Sequence, residues 1–187
     1  VRRVGRILRR VIRWALLGAL AGAVALAVAV YAFPYDVARL DPAASGPLVV
    51  TDKDGNVLRA LPAADGRREA WVRLDDIPAP VVLSVLVSED ERFFRHPGVD
   101  AAGLLRAGWL NLRSGRVTFG GSTITMQLVR MVHSAGESRS VWNKLKEAVI
   151  ALRLERAMSK QDILEQYLNR AYYANGAYGI EAAAQTY

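Results

Sequence analysis

The 187-residue sequence contains no cysteine. No disulfide can staple it in an oxidising compartment, so its stability has to come from a packed core. Residues 1–13 hold six arginines and no acid, and residues 14–34, WALLGALAGAVALAVAVYAFP, hold no charge at all. Of the 25 Lys and Arg, removing those six leaves 19 against 18 acids, so the net charge of +7 belongs to a tail and not to a folded surface. A nucleic-acid binder carries its basic excess on the folded part together with a recognisable motif; neither is present, and the sequence excludes nucleic acid as the partner. A Walker loop GxxxxGK[ST] is absent, and no internal repeat or low-complexity tract occurs outside the apolar run.

What is present begins with that run. About 20 uncharged residues match the roughly 30 Å hydrocarbon core of a bilayer, and an arginine cluster ahead of them holds the N-terminus in the cytoplasm. The reading is a basic cytoplasmic tail over 1–13 and a single transmembrane anchor over 14–34, with the rest of the chain outside the inner membrane. The alternative is a cleaved signal peptide, for which Ala27 to Ala29 supplies an Ala-x-Ala. Gly18 and Gly22 form a GxxxG, a weak signal in so Ala/Gly-rich a segment.

A Pro/Ala linker runs from Pro34 to about Gly46, and PLVVTDKDGNVLRAL then reads as a hairpin around Asp54-Gly55-Asn56. EAWVRLDDIP adds a short strand. After Pro80 the pattern is helical, with segments predicted at roughly 80–91, 100–113, 122–133, 139–158, 160–171 and 179 to the end. Ser122 is the expected N-cap of the third and SKQD the capping-box start of the fifth. The outer domain is mainly α, with a 35–79 linker and β-hairpin region ahead of a helical domain over 80–187.

Three groups of residues point to chemistry. SEDERFFRHPGVD ends an apolar helix in Glu89, Asp90 and Glu91, where the helix dipole disfavours acids. Beside Phe93 and Phe94 such a carboxylate, partly desolvated, gains the basicity of a general base; a solvated acidic helix end is the competing reading. TFGGSTITMQLVR offers two glycines, Ser122 and Thr123 at a helix start, either an anion site for phosphate or a structural cap. In VWNKLKEAVIALRLERAMS, Val141, Leu145, Ala148 and Leu152 mark the expected core face, with Glu147 in a row with Ala151, Leu154 and Met158 and on one face with Lys144.

In order, these segments resemble the family 51 glycosyltransferase domain of class A penicillin-binding proteins. EDERFFRHPGVD resembles the motif EDxxFxxHxG, GGSTITMQLVR resembles GxSTxTQQ, KLKEAVIALRLE resembles RKxxE, and SKQDILEQYLNRAYYANGAYGIEAAAQTY resembles the fourth and fifth motifs. The resemblance implies a lysozyme-like, mainly α glycosyltransferase domain, with a small β-hairpin near the membrane and an N-terminal transmembrane helix. It would polymerise lipid II onto a nascent glycan strand at the outer face of the bacterial inner membrane, alongside cell-wall synthesis partners. By the same resemblance Glu89 is the general base and Glu147 assists at the donor diphosphate. Ser122, Thr123, Gln127, Arg130 and Lys144 contact phosphate or sugar, and Phe93 and His96 shape the site around Glu89. No cofactor is required and no metal ligand set is implied, with a divalent cation such as Mg at the diphosphate as an option.

The sequence departs from the family pattern at two positions. Met126 replaces the first Gln of the pair, as in the 1C-type subgroup, leaving Gln127 as the amide, and Asn143 replaces the usual Arg before Lys144. The fifth motif reaches Tyr187, so the resemblance implies further helices beyond it. There is no Ser-x-x-Lys, and hence no penicillin-binding transpeptidase within these residues. Two other readings compete with the polymerase: a membrane-anchored glycan hydrolase, since lysozyme-like folds also set paired carboxylates around a sugar bond, and a non-catalytic cell-wall scaffold.

Overall fold

The computed structural model describes residues 2–40, 48–55, 57–61, 68–69, 71–116, 120–133, 138 and 140–187. The chain forms two compact units, Val1–Pro34 and Tyr35–Tyr187. The first is the helix α1 (Arg2–Tyr31). Its stretch Arg9–Tyr31 is long and apolar enough to cross a membrane, spanning about 34 Å at a rise of 1.5 Å per residue. The helix stops at Tyr31, ahead of the Pro34 expected as its end, because a proline drives the residue before it out of the helical region.

The second unit carries six helices among the described residues: α2 (Ala79–Glu89), α3 (Ala101–Ser114), α4 (Ile124–His133), α5 (Val141–Ala157), α6 (Lys160–Arg170) and α7 (Ile180–Thr186). The hairpin is present as β1 (Leu48–Thr51) antiparallel to β2 (Val57–Leu61), with Gly55 at φ 85° in its turn; Asn56 lies outside the described residues. The strand expected in EAWVRLDDIP is only β3 (Arg68–Glu69). It leaves the hairpin alone and pairs in parallel with β4 (Ala177–Tyr178), more than a hundred residues away. The chain after it is held along α6 by side chains that substitute for a sheet partner. The Val72 N–H donates to Asn169 Oδ1 at 2.8 Å, Asn169 Nδ2 donates back to the Val72 carbonyl, and the Leu74 N–H donates to Glu165 Oε2.

The core lies where α4, α5 and α6 meet, around Ile124, Leu128, Ala151, Leu154, Ile163 and Leu168. Two expectations are corrected there. Leu40, placed by the sequence in a linker, is 2% exposed in this core, and its carbonyl accepts from Gln166 Nε2 at 3.0 Å. Linker residues 41–46 lie outside the described residues. On α5, Val141 and Leu145 are 80% and 55% exposed, while the row Glu147, Ala151 and Leu154 is buried. The expected face holds only in part: Ala148 packs against the core, while Val141 and Leu145 face solvent and the buried row starts with a carboxylate. The capping box of α6 forms as expected: Ser159 Oγ accepts from the Asp162 N–H and the Asp162 side chain accepts from the Ser159 N–H.

Candidate active site

The turn between α2 and α3 determines where the carboxylates go. Asp90, the C-cap of α2, is buried, and its oxygens accept from His96 Nε2 at 3.0 Å and from the Ile124 N–H at 3.1 Å. The second bond places a carboxylate on the first N–H of α4, at the positive end of that helix, where negative charge is favourable. One of the three acids that looked misplaced at the end of α2 is therefore well placed at the start of α4. His96 Nδ1 accepts from the Gly98 N–H, and the Gly98 carbonyl accepts from Thr123 Oγ1 at 2.6 Å. Thr123 Oγ1 also accepts from the Met126 N–H, so Thr123 and not Ser122 caps α4. The hydroxyl pair was legible in the sequence; which of the two turns inward was decided by the carbonyl of Gly98.

Gly98 is obligatory in this arrangement. It sits at φ 97°, and a Cβ there would lie 2.8 Å from the Ala151 carbonyl oxygen and 2.9 Å from Glu155 Cγ. Gly98→Ala is expected to lower unfolding stability by about 2–5 kcal/mol, combining left-handed backbone strain with overpacking against α5. Thermal unfolding of the detergent-solubilised chain checks this, and an unchanged melting temperature would contradict it.

The same turn carries Glu89, the last residue of α2, outward. Its side chain is exposed, which corrects the expectation of a carboxylate desolvated by phenylalanines. Phe93 is fully buried in the core behind the site, with Lys160 Nζ 4.1 Å from its ring centroid, and Phe94 is exposed. Phe93 and His96 thus support the wall that bears Glu89 without lining the cleft. Glu89 Oε2 accepts from Gln127 Nε2 at 2.9 Å.

Glu89 opens on two cavities. The first, about 570 Å³, is lined by Glu89, Gly120, Ser122, Gln127, Arg130, Ser138, Ser140, Val141, Asn143, Lys144 and Glu147. It brings together six of the nine site residues named from the sequence, Glu89, Glu147, Ser122, Gln127, Arg130 and Lys144, with the polar groups at the start of α5; Thr123, Phe93 and His96 do not line it. The second cavity, about 410 Å³, lies against Glu89, Asp90, Arg92, Asp100, Arg106, Ser122 and Thr123 among others.

The physical character of the first cavity follows from α4 and α5. Buried Thr125, Met126, Leu128 and Val129 anchor α4, which turns Gln127 and Arg130, three residues apart, to the cleft. Helix α5 starts in the cleft wall, capped by Ser140, whose side chain accepts from the Asn143 N–H. Its positive end and Lys144 favour an anion in the same space. Asn143 uses its side chain to donate to the Ser138 carbonyl at 3.0 Å and fixes the entry into α5.

Sequence reasoning missed two tyrosines. Burial pushes the Tyr167 phenol well above its usual value, with Glu89 and Tyr173 adding to the effect and Arg130 opposing it. Tyr173 is likewise raised by burial and by Glu89. Both phenols lie within the field of Glu89 and keep their protons at physiological pH. Tyr167 belongs to the buried core, and nothing in the sequence alone links α6 to the end of α2.

On the second cavity's wall, Arg92 pairs with Asp100, the N-cap of α3. Burial raises the Asp100 carboxyl, but the Gly103 N–H and Arg92 outweigh it and hold it below the usual carboxylate value. Among the described residues there is no cluster of three or more His, Asp or Glu able to hold a metal ion.

The structure gathers a carboxylate and two cations in one cleft of a helical domain, and comparison with known proteins supplies the class. A family model described as Transglycosylase matches residues 54–187. Penicillin-binding protein 1A of Pseudomonas aeruginosa is 42% identical over 141 residues, 75% of this chain and 17% of the relative. Its Escherichia coli namesake is 40% identical over 153 residues, 81% and 18%, and that of Aquifex aeolicus 42% over 121 residues, 65% and 16%. The chain belongs to the transglycosylase family, the peptidoglycan glycosyltransferase class of enzyme domain. It spans less than a fifth of the length of these relatives. They carry the 1A name, so the 1C-type resemblance of Met126 gains no support from them.

Proposed function

We propose that the chain polymerises lipid II into β-1,4-linked glycan, with Glu89 as the base and the cavity of Lys144 and Arg130 as the donor site. The observation that carries this reading is the single cleft joining a hydrogen-bonded carboxylate to two cations and a helix N-terminus. Glu89 takes the proton from the 4-hydroxyl of the acceptor GlcNAc as that oxygen attacks the anomeric carbon of the donor MurNAc. The bond from that carbon to the diphosphate oxygen breaks, undecaprenyl diphosphate leaves with the electron pair, and the α-linked donor becomes a β-linked product. Lys144, Arg130 and the start of α5 oppose the charge that grows on the leaving diphosphate. Ser122 borders both cavities, and the acceptor sugar occupies the second, across Glu89 from the donor.

Glu147, buried in the wall of the first cavity, orients donor groups there. Thr123 acts from beneath, as the cap of α4. A magnesium ion, where used, would take most of its ligands from the diphosphate and water, since it dehydrates reluctantly and the described residues bring no third carboxylate to this cavity. The lipid tail requires a membrane. α1 supplies a span, its arginines set the N-terminus in the cytoplasm and the catalytic unit outside, and α3 exposes Leu105, Trp109 and Leu112 as apolar surface. The diphosphate-binding character of the cleft distinguishes this reading from a glycan hydrolase, whose leaving group is a sugar alcohol.

The test is incubation of the full-length protein with lipid II, separating products by size. Glycan strands and released undecaprenyl diphosphate are expected. Cleavage of preformed glycan without strand formation would replace the reading with the hydrolase, and neither product with the scaffold.

A further inference from the structure

We propose that Gln127 is a positioning residue for the base: its amide holds Glu89 Oε2 and keeps Oε1 turned to the acceptor hydroxyl. The proposal rests on the polymerase reading and reassigns Gln127 from gripping substrate to orienting Glu89. Glu89 is the last residue of α2 and is exposed, so its three side-chain torsions are otherwise poorly constrained. The donor that meets it comes from α4, a helix fixed by four consecutive or near-consecutive core residues and by the Asp90 and Thr123 bonds at its start. Met126 is 2% exposed and points into the core, so a single amide, that of Gln127, reaches the carboxylate, at 2.9 Å.

One oxygen of a carboxylate engaged by an N–H leaves the other as the proton acceptor. The charged and titratable groups around the cleft are Arg130 on α4, Lys144 and Glu147 on α5, Tyr167 on α6 and Tyr173 after it. On the opposite side stand Asp90, Glu91, Arg92, Asp100 and Arg106. Arg130 and Lys144 line the same cavity as Glu89, but they do not fix its orientation. Gln127 is the side chain that does.

The experiment compares kcat and KM of lipid II polymerisation for the wild type, Gln127→Met and Gln127→Glu in the full-length protein, with thermal melting as the check on folding. Loss of the amide donor is expected to lower kcat by about 10- to 100-fold through misorientation, with KM for lipid II changed less than about threefold. Gln127→Glu, which keeps the shape but offers no N–H, should lose kcat as Gln127→Met does. A KM raised about tenfold or more with kcat changed less than about threefold would overturn the proposal and return Gln127 to substrate binding. Should Gln127→Met fold poorly, Gln127→Glu, nearly the same shape, gives the decisive split between kcat and KM by itself. An inactive wild type, or full activity in Glu89→Gln, would instead overturn the polymerase reading.

Discussion

Glu89→Gln is expected to reduce glycan polymerisation by about 10²- to 10⁴-fold, the range for removing a positioned general base, while lipid II binding changes little. The variant isolates the chemistry because its shape is preserved. The introduced amide can still offer its oxygen to Gln127 Nε2, where Glu89 Oε2 accepts at 2.9 Å. The buried knot of Asp90, His96, Gly98 and Thr123 that sets the end of α2 does not involve the Glu89 side chain. Folding and cleft geometry therefore persist, and what is lost is the capacity to accept a proton. Glu89 is exposed, and the role proposed for it rests on position, between two cavities that both include it. Single-turnover rates, together with binding of lipid II to the variant, separate the two quantities. Undiminished strand formation would remove Glu89 from the base role and would direct attention to Glu147, the other carboxylate in the cleft.

Helix existence and order were legible because each helix has local signals. SKQD predicted the start of α6 from a capping box that forms as written, and the approximate extents of α2 to α6 follow from periodicity and punctuation. Pairings between distant, short segments were not legible. The two residues of β3 have no period to read, and their partner β4 is a two-residue strand set among Ala174, Asn175, Gly176 and Gly179, all at positive φ. Leu40 gave no sign of being core, since its neighbours form no repeating apolar pattern and its burial depends on Gln166 and Arg170 of α6 reaching its carbonyl. The α5 error has a local cause. Val141 and Leu145 look like a core face because the row that is buried includes Glu147, a carboxylate in the cavity wall that breaks the apolar pattern. At the candidate site, Glu89, Gln127, Arg130, Lys144 and Glu147 were named from motif spacing and converge in one cavity. The division of labour among Glu89, Asp90 and Glu91 was not readable, because only the fold shows that Asp90 meets the start of α4.

Lys144→Ala is expected to weaken binding of the diphosphate-linked donor by about 10- to 100-fold and to leave acceptor binding within about twofold, in keeping with loss of a charge-assisted contact worth about 1.5–3 kcal/mol. A lysine in the first turn of a helix faces the positive end of the dipole and is disfavoured there by a few tenths of a kcal/mol. Its removal should therefore cost the fold nothing, and the helix start itself is retained by Ser140, whose side chain accepts from the Asn143 N–H. Two positive features placed together make sense if an anion comes between them and is drawn by both. The first cavity contains that pair, and Lys144 does not border the second. The expected asymmetry between donor and acceptor follows from this placement. Raising the salt concentration should narrow the gap between wild type and variant, since a cation in an open cleft is screened. Equal losses for donor and acceptor would mean that Lys144 supports the cleft as a whole, and the assignment of the two cavities would have to be exchanged or withdrawn.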